Sequence, residues 1–367
     1  MGAEFGYSML WVVVVAIFFM VVFTSMAGRI GLATHESFLS CIRNRWGRGA
    51  SVATGLGVFL VTASFQAGNS VGVGIAMAGL FDTGSVPWII LFNMFGLILL
   101  FYRSFYKILE TVMIALICLM LLAFVSTLFL SGPSVGRIVS GLIPQVPAGG
   151  EGLLVAFIAS CFSVVGACYQ SYLVQEKNRV RPDVVQTKHD SVAGILILGL
   201  MSAMVLLCCA AVLKPQGIEV SSAADMAKVL EPSLGRHASS LFLFGLFAAS
   251  FSSLIGNASV GGTLMSDALG RGSQFASAST RLLIAAVMII GACVAIIFGK
   301  LPLELIVFAQ LVTIFVVPFI GITLVVIAND RKIMGDLQNT FWTKLFAAAG
   351  LLLLFGLAIV GARSVFF

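Results

Sequence analysis

The sequence predicts an all-α, multi-spanning membrane protein, and three observations lead there. Of its 367 residues 60% are hydrophobic and only 10% charged, whereas a soluble globular domain carries about 25% charged residues. The apolar residues fall in continuous runs of about 20, the length a helix needs to cross a bilayer. Backbone groups in lipid must find partners within the protein, so only helices or a closed barrel can span. Long unbroken runs, rather than short alternating ones, select helices.

Ten spans follow along the chain, at roughly 8–28, 51–80, 86–102, 107–130, 151–174, 190–213, 237–265, 281–299, 302–327 and 341–361. Together they form a single transmembrane domain over 1–367. Between the sixth and seventh, an amphipathic segment at 221–230 opens on serine and carries Asp225 near its start, as a helix N-terminus does. The loops alternate in charge. One set holds Arg29, Arg43, Arg45, Arg48, Arg103, Lys107, Lys177, Arg179, Arg181, Lys188, Arg271, Arg281, Arg331 and Lys332, fourteen basic residues. The other holds six: Arg137, Lys214, Lys228, Arg236, Lys300 and Arg363. The positive-inside rule places the richer set in the cytoplasm, so the first span enters from outside. Residues 1–7 then lie outside with no leader or basic N-terminal region, and the expectation is that a further helix belongs upstream of Met1.

The same composition excludes other classes. The net charge of +6 sits between apolar runs, where topology and anionic lipid account for it. No aromatic–basic interleaving of the single-strand-binding kind accompanies it, so nucleic acid is not expected as a partner. The seven cysteines lie mostly inside apolar runs, without zinc or disulfide spacing, and read as small hydrophobes. His35, His189 and His237 lie in or beside loops, and no two are at metal-ligand spacing. No Ser-His-Asp set, phosphate-binding glycine loop or zinc motif is present. An enzyme with a resident cofactor is therefore not expected.

Polar residues within spans are costly and mark candidate sites. In the second span Gln66 and Asn69 are three apart and share a helix face. Their amides serve either a cation or a neighbouring helix. The fifth span reads Ser163-Val164-Val165-Gly166-Ala167-Cys168-Tyr169-Gln170 at its middle. That polar, glycine-containing stretch suits a broken helix whose unwound carbonyls hold a cation near the midplane. The seventh is glycine-rich around Asn257 and ends near Asp267, which is either a pathway residue or a helix-end acid. The ninth carries Gln310 several residues in, with Pro318 beyond it to bend the helix. Glycine-rich or broken spans recurring in both halves fit a secondary transporter.

These residues carry a resemblance. Gly2 to Trp11, Ala27 to Thr34, Ser252 to Thr263, Ala309 to Phe319 and Asn329 to Asp336 resemble segments of the natural-resistance-associated macrophage protein (Nramp) family of divalent metal ion transporters. The resemblance extends over essentially the whole chain. It implies the inverted-repeat fold of sodium-coupled amino acid transporters, with ten helices present of an expected eleven. It also implies a metal site built from the first helix, the sixth helix and a glutamine of the tenth, here Gln310. The family's first-helix Asp-Pro-Gly-Asn motif does not occur in this sequence. Its sixth-helix Met-Pro-His falls by ungapped matching on Ser163, Val164 and Val165. Loss of methionine sulfur removes a preference for soft transition ions and raises magnesium beside manganese and iron. Loss of the histidine weakens the case for proton coupling.

The expected function is thus alternating-access transport of Mg2+, Mn2+ or Fe2+ across a bacterial cytoplasmic membrane. The metal would be held by Gln310, Ser163, Val164, Gly166 and Gln170, with Gln66, Asn69, Tyr169, Asn257 and Asp267 as pathway or structural polar residues. Two rivals share these features: a transporter of another small solute such as an amino acid, and a membrane protein that does not transport.

Overall fold

The computed structural model describes all residues except 35, 101–102, 134, 162–163, 181–183, 221, 276, 299–301 and 367. For 103–110, 159–161, 177–180, 184–190, 302–312, 314–315 and 364–366 it describes the backbone alone. The principal helices are α1 (Leu10–Ala33), α2 (Phe38–Phe81), α3 (Ser85–Leu99), α4 (Arg103–Ser131), α5 (Glu151–Cys161), α6 (Val164–Val180), α7 (Val184–Val212), α8 (Ala238–Ala268), α9 (Ala278–Phe298), α10 (Pro302–Ala328) and α11 (Phe341–Phe366). Among the described residues, seven helical segments are long and apolar enough to cross a membrane, and two shorter apolar ones accompany them.

Two helices differ from the sequence expectation in an informative way. The second begins at Phe38, not near residue 51, and turns sharply at Gly47, whose φ of 85° only glycine adopts without strain. Its first segment therefore lies before the turn, capped by Ser37, whose hydroxyl accepts from the Ser40 N–H at 3.1 Å. The fifth span is described as α5 and α6, with 162–163 between them outside the described residues. In the amphipathic segment the cap is Ser222, which exchanges hydrogen bonds with Asp225 in a capping box before the short helix Ala223–Ala227.

Two apolar clusters organise the molecule. One gathers α1, the start of α2, α5, α6, α10 and α11 around Phe23, Met26, Ile30, Val164 and Leu324. The other joins α2, α8 and α9 around Phe251, Leu254, Ala258 and Met288. Helix α8 lies along α2 more extensively than any other described pair. Glycines make that possible: a Cβ on Gly55 would meet Ala268, on Gly72 Ser250 and on Gly261 Thr62. Without a hydrophobic drive between helices in lipid, such backbone proximity and the dispersion contacts it permits are what hold them together. On the far side of α8, Gly262 lies against the Ile284 backbone of α9, and Gly291 of α9 lies against Gln66.

Candidate functional site

The fifth span is the natural starting point. Helix α5 is described to Cys161 and α6 from Val164. Ser163 lies outside the described residues. Val164 is fully buried in the larger cluster, so its side chain is packing and only its backbone has polar atoms to offer. Gly166 is exposed. The backbone of Gln310 lies in α10; its side chain lies outside the described residues.

Beyond Gly166 the two faces of α6 diverge. Tyr169 and Tyr172 stack, with centroids 6.3 Å apart and planes 18° apart. With Gln175 and Glu176 they line a cavity of about 630 Å3, closed on the other side by Ser259 and Thr263 of α8. The Thr263 hydroxyl is buried there without a hydrogen-bond partner. Gln170 points elsewhere: its amide donates to the Ser191 hydroxyl of α7 at 2.6 Å, beside a second cavity lined by α1, α7 and α11. The structure thus brings Tyr169 to the α8 face but does not bring Gln170 there.

At the cytoplasmic end of these helices lies a buried polar junction. The Tyr172 hydroxyl donates to the Asp267 carboxylate at 2.6 Å and accepts from the Leu39 N–H at 3.3 Å. Tyr172 is 7% and Asp267 5% exposed, so each depends on the other for satisfaction. Arg43 donates to the Asp267 backbone carbonyl at 2.6 Å. Gln175 donates to the carbonyls of Thr34 and Glu36. Four helix ends, those of α1, α2, α6 and α8, therefore meet here. Asp267 is part of this closure.

Gln66 and Asn69 sit apart, within α2. Gln66 is fully buried and neither of its amide atoms has a partner; the Asn69 nitrogen is likewise unpaired. Asn257 is half-buried on α8. Sequence reasoning passed over Tyr172, though a second tyrosine three residues after Tyr169 places both on one face. It also missed Asn93, whose amide donates to Ser70 of α2 at 3.1 Å. It passed over Thr24 as well, which is buried with an unpartnered hydroxyl where the apolar run of α1 gives way to Thr24-Ser25. Among the described residues no three His, Cys, Asp or Glu side chains converge on a metal position. Around the cavity they offer a cation carbonyl, amide and hydroxyl oxygen and the single carboxylate of Glu176.

A bundle of long apolar helices packed through close glycine contacts defines a multi-pass membrane protein, and its fold is that of the inverted-repeat transporters. The chain belongs to the natural-resistance-associated macrophage protein-like (Nramp) family, whose model matches residues 1–362. It is 27% identical over 358 residues to the divalent metal cation transporter MntH of Chromohalobacter salexigens, covering 92% of this chain and 80% of that one. It is 25% identical over 364 residues to that of Yersinia pestis, covering 97% and 87%. Among solved structures it superposes on a histidine-to-alanine mutant of the manganese transporter of Eremococcus coleocola with a TM-score of 0.78 at 19% identity, covering 99% of this chain and 81% of that one. The same transporter in complex with an aromatic bis-isothiourea substituted compound gives 0.75 at 20% identity, with the same coverage. These similarities are to transporters, not to enzymes.

Proposed function

We propose that the protein is a secondary transporter of divalent metal cations working by alternating access in a bacterial cytoplasmic membrane. The observation that carries this reading is the match to the Nramp model over 1–362 in a bundle of long apolar helices. The curated relatives, named as divalent metal cation transporters, support it. In this reading the cation is held by oxygens of Ser163, Val164 and Gly166, with Gln310 of α10 as the further ligand that the family resemblance implies. Gln170, bonded to Ser191, comes to the ion only if α6 turns.

The donor set decides the ion. Ser163, Val164 and Val165 supply no sulfur and no imidazole where the family resemblance places both. Oxygen alone suits a hard ion that keeps part of its water shell, and we infer that magnesium is carried in preference to manganese. With Asp267 engaged by Tyr172 and amides at 66 and 69, uptake is expected without a proton gradient. The test is uptake into proteoliposomes of Mg2+ and Mn2+ separately, with and without a pH gradient, against Gln310→Ala. Saturable Mg2+ uptake that is indifferent to pH and lost in the variant is the expected result. Folded protein that moves neither ion would overturn the reading.

A further inference from the structure

The second cavity, about 360 Å3 between α1, α6, α7 and α11, has a lining of mixed character. Its apolar lining includes Val21, Ile195 and Phe346, and its polar lining includes Thr24 and Arg29. The Thr24 hydroxyl, on a residue 7% exposed, has no partner. Arg29 donates to the Asn339 side-chain oxygen at 2.6 Å. Its other contacts, to the carbonyls of Ser25, Leu337 and Gln338, are all stretched to 3.4 Å. These partners are carbonyl and amide oxygens, none of them a carboxylate. No carboxylate balances the guanidinium through these contacts, three of which are long, and the same cavity is lined by the residue carrying the unpartnered hydroxyl.

The surroundings fix the depth. Phe341 and Trp342, 73% and 63% exposed, stand at the start of α11 next to the exposed Lys344. Exposed aromatics with a neighbouring lysine are the mark of a headgroup-level belt. Charge patterning assigns this end of α1 and α11 to the cytoplasmic leaflet, where anionic lipids concentrate. A metal ion does not suit a cavity whose one charged side chain is cationic, and a free anion does not need the apolar lining.

We propose that this cavity binds an anionic phospholipid of the cytoplasmic leaflet, its phosphate held by Arg29 and Thr24 and its upper acyl chain lying on Val21, Ile195 and Phe346. The proposal stands independently of which ion is transported. It is tested on the full protein in a neutral detergent, by native mass spectrometry and thermal unfolding. Phosphatidylglycerol, phosphatidylcholine and inorganic phosphate are added separately. Phosphatidylglycerol should be retained and raise the Tm, and the other two should not. Arg29→Gln should weaken the retained lipid's apparent affinity by about tenfold or more, the effect of removing one charge-assisted bond. Because Arg29 also clasps Asn339, Thr24→Leu provides the second variant. It removes the hydroxyl and narrows the cavity while leaving the arginine in place, and it should lose the lipid effect too. Equal stabilisation by phosphatidylcholine, an undiminished phosphatidylglycerol effect in Thr24→Leu, or an equal effect of inorganic phosphate alone would each overturn the proposal.

Discussion

Helix α8 makes two contacts of opposite kinds. Against α2 it meets a seam of small residues, Gly55 on Ala268, Thr62 on Gly261 and Ser250 on Gly72, where any added carbon collides. Against α6 its inner end is held by one tyrosine hydroxyl on one carboxylate. The seam has no second arrangement, because sliding either helix drives a side chain into backbone. The polar closure does have one: water can replace each hydrogen bond once the helices part. A transporter needs both, a body that does not change shape and a closure that can be undone at small cost. On this view α2, α8 and α9 are the body, and α6 moves against it.

The comparison is broken most severely inside the rigid body, where α8 meets α9. In Gly262→Leu the new Cβ would strike the Ile284 backbone, which cannot step aside as a flexible side chain would. Overpacking of this kind costs about 1–3 kcal/mol and more where backbone must shift. The expected outcome is loss of monodisperse protein on size exclusion, or a large fall in Tm. A normal Tm would mean that α8 and α9 separate freely, and the rigid-body assignment would fail.

The polar closure should respond differently. Tyr172→Phe strands the buried Asp267 carboxylate, at a cost of roughly 1–3 kcal/mol, but leaves the apolar packing of the ring intact. The effect should appear as opening more than as unfolding. Cys168, fully buried one turn earlier on α6, should be alkylated faster from the cytoplasmic side while the Tm changes little. Removing both partners together, with Asp267→Leu, should cost less than the two single changes summed, because no stranded charge remains. Additive effects would show that the two residues act separately.

The two contacts were not equally legible in the sequence. The seam was visible as a glycine- and serine-rich span that had to pack on protein, since small residues announce close approach whatever their neighbour is. The closure was not. Asp267 alone reads equally as a pathway acid or a helix end. Its partner lies 95 residues away, and no local pattern encodes a pairing that only tertiary packing creates. The same holds for Gln170. Helical spacing places it between the candidate ligands, but rotation about the axis turns it toward Ser191 of α7. The segment before Gly47 was read as loop because its arginines interrupt the apolar run, although the helix there lies at the cytoplasmic end and has no need to be apolar.

Gln66 sharpens the contrast, because it is a polar residue inside the rigid body. It is fully buried with both amide atoms unpaired, and Gly291 of α9 packs on its stem. A purely structural amide would be expected to hydrogen-bond across the interface, as Asn93 does to Ser70. An unsatisfied one burdens the fold by about 1–3 kcal/mol, and Gln66→Leu, of similar volume, should recover a part of that, near 1 kcal/mol. The expected outcome is a small rise in Tm together with reduced cation uptake. This separation distinguishes a residue kept for the passage of an ion from one kept for packing. A fall in Tm would show that the amide is paired in the membrane, through water or another side chain, and that the body is held by polar contacts as well as by its small-residue seam. A rise in Tm with unchanged uptake would assign Gln66 no part in transport and leave the ion's route to the α6 side of α8.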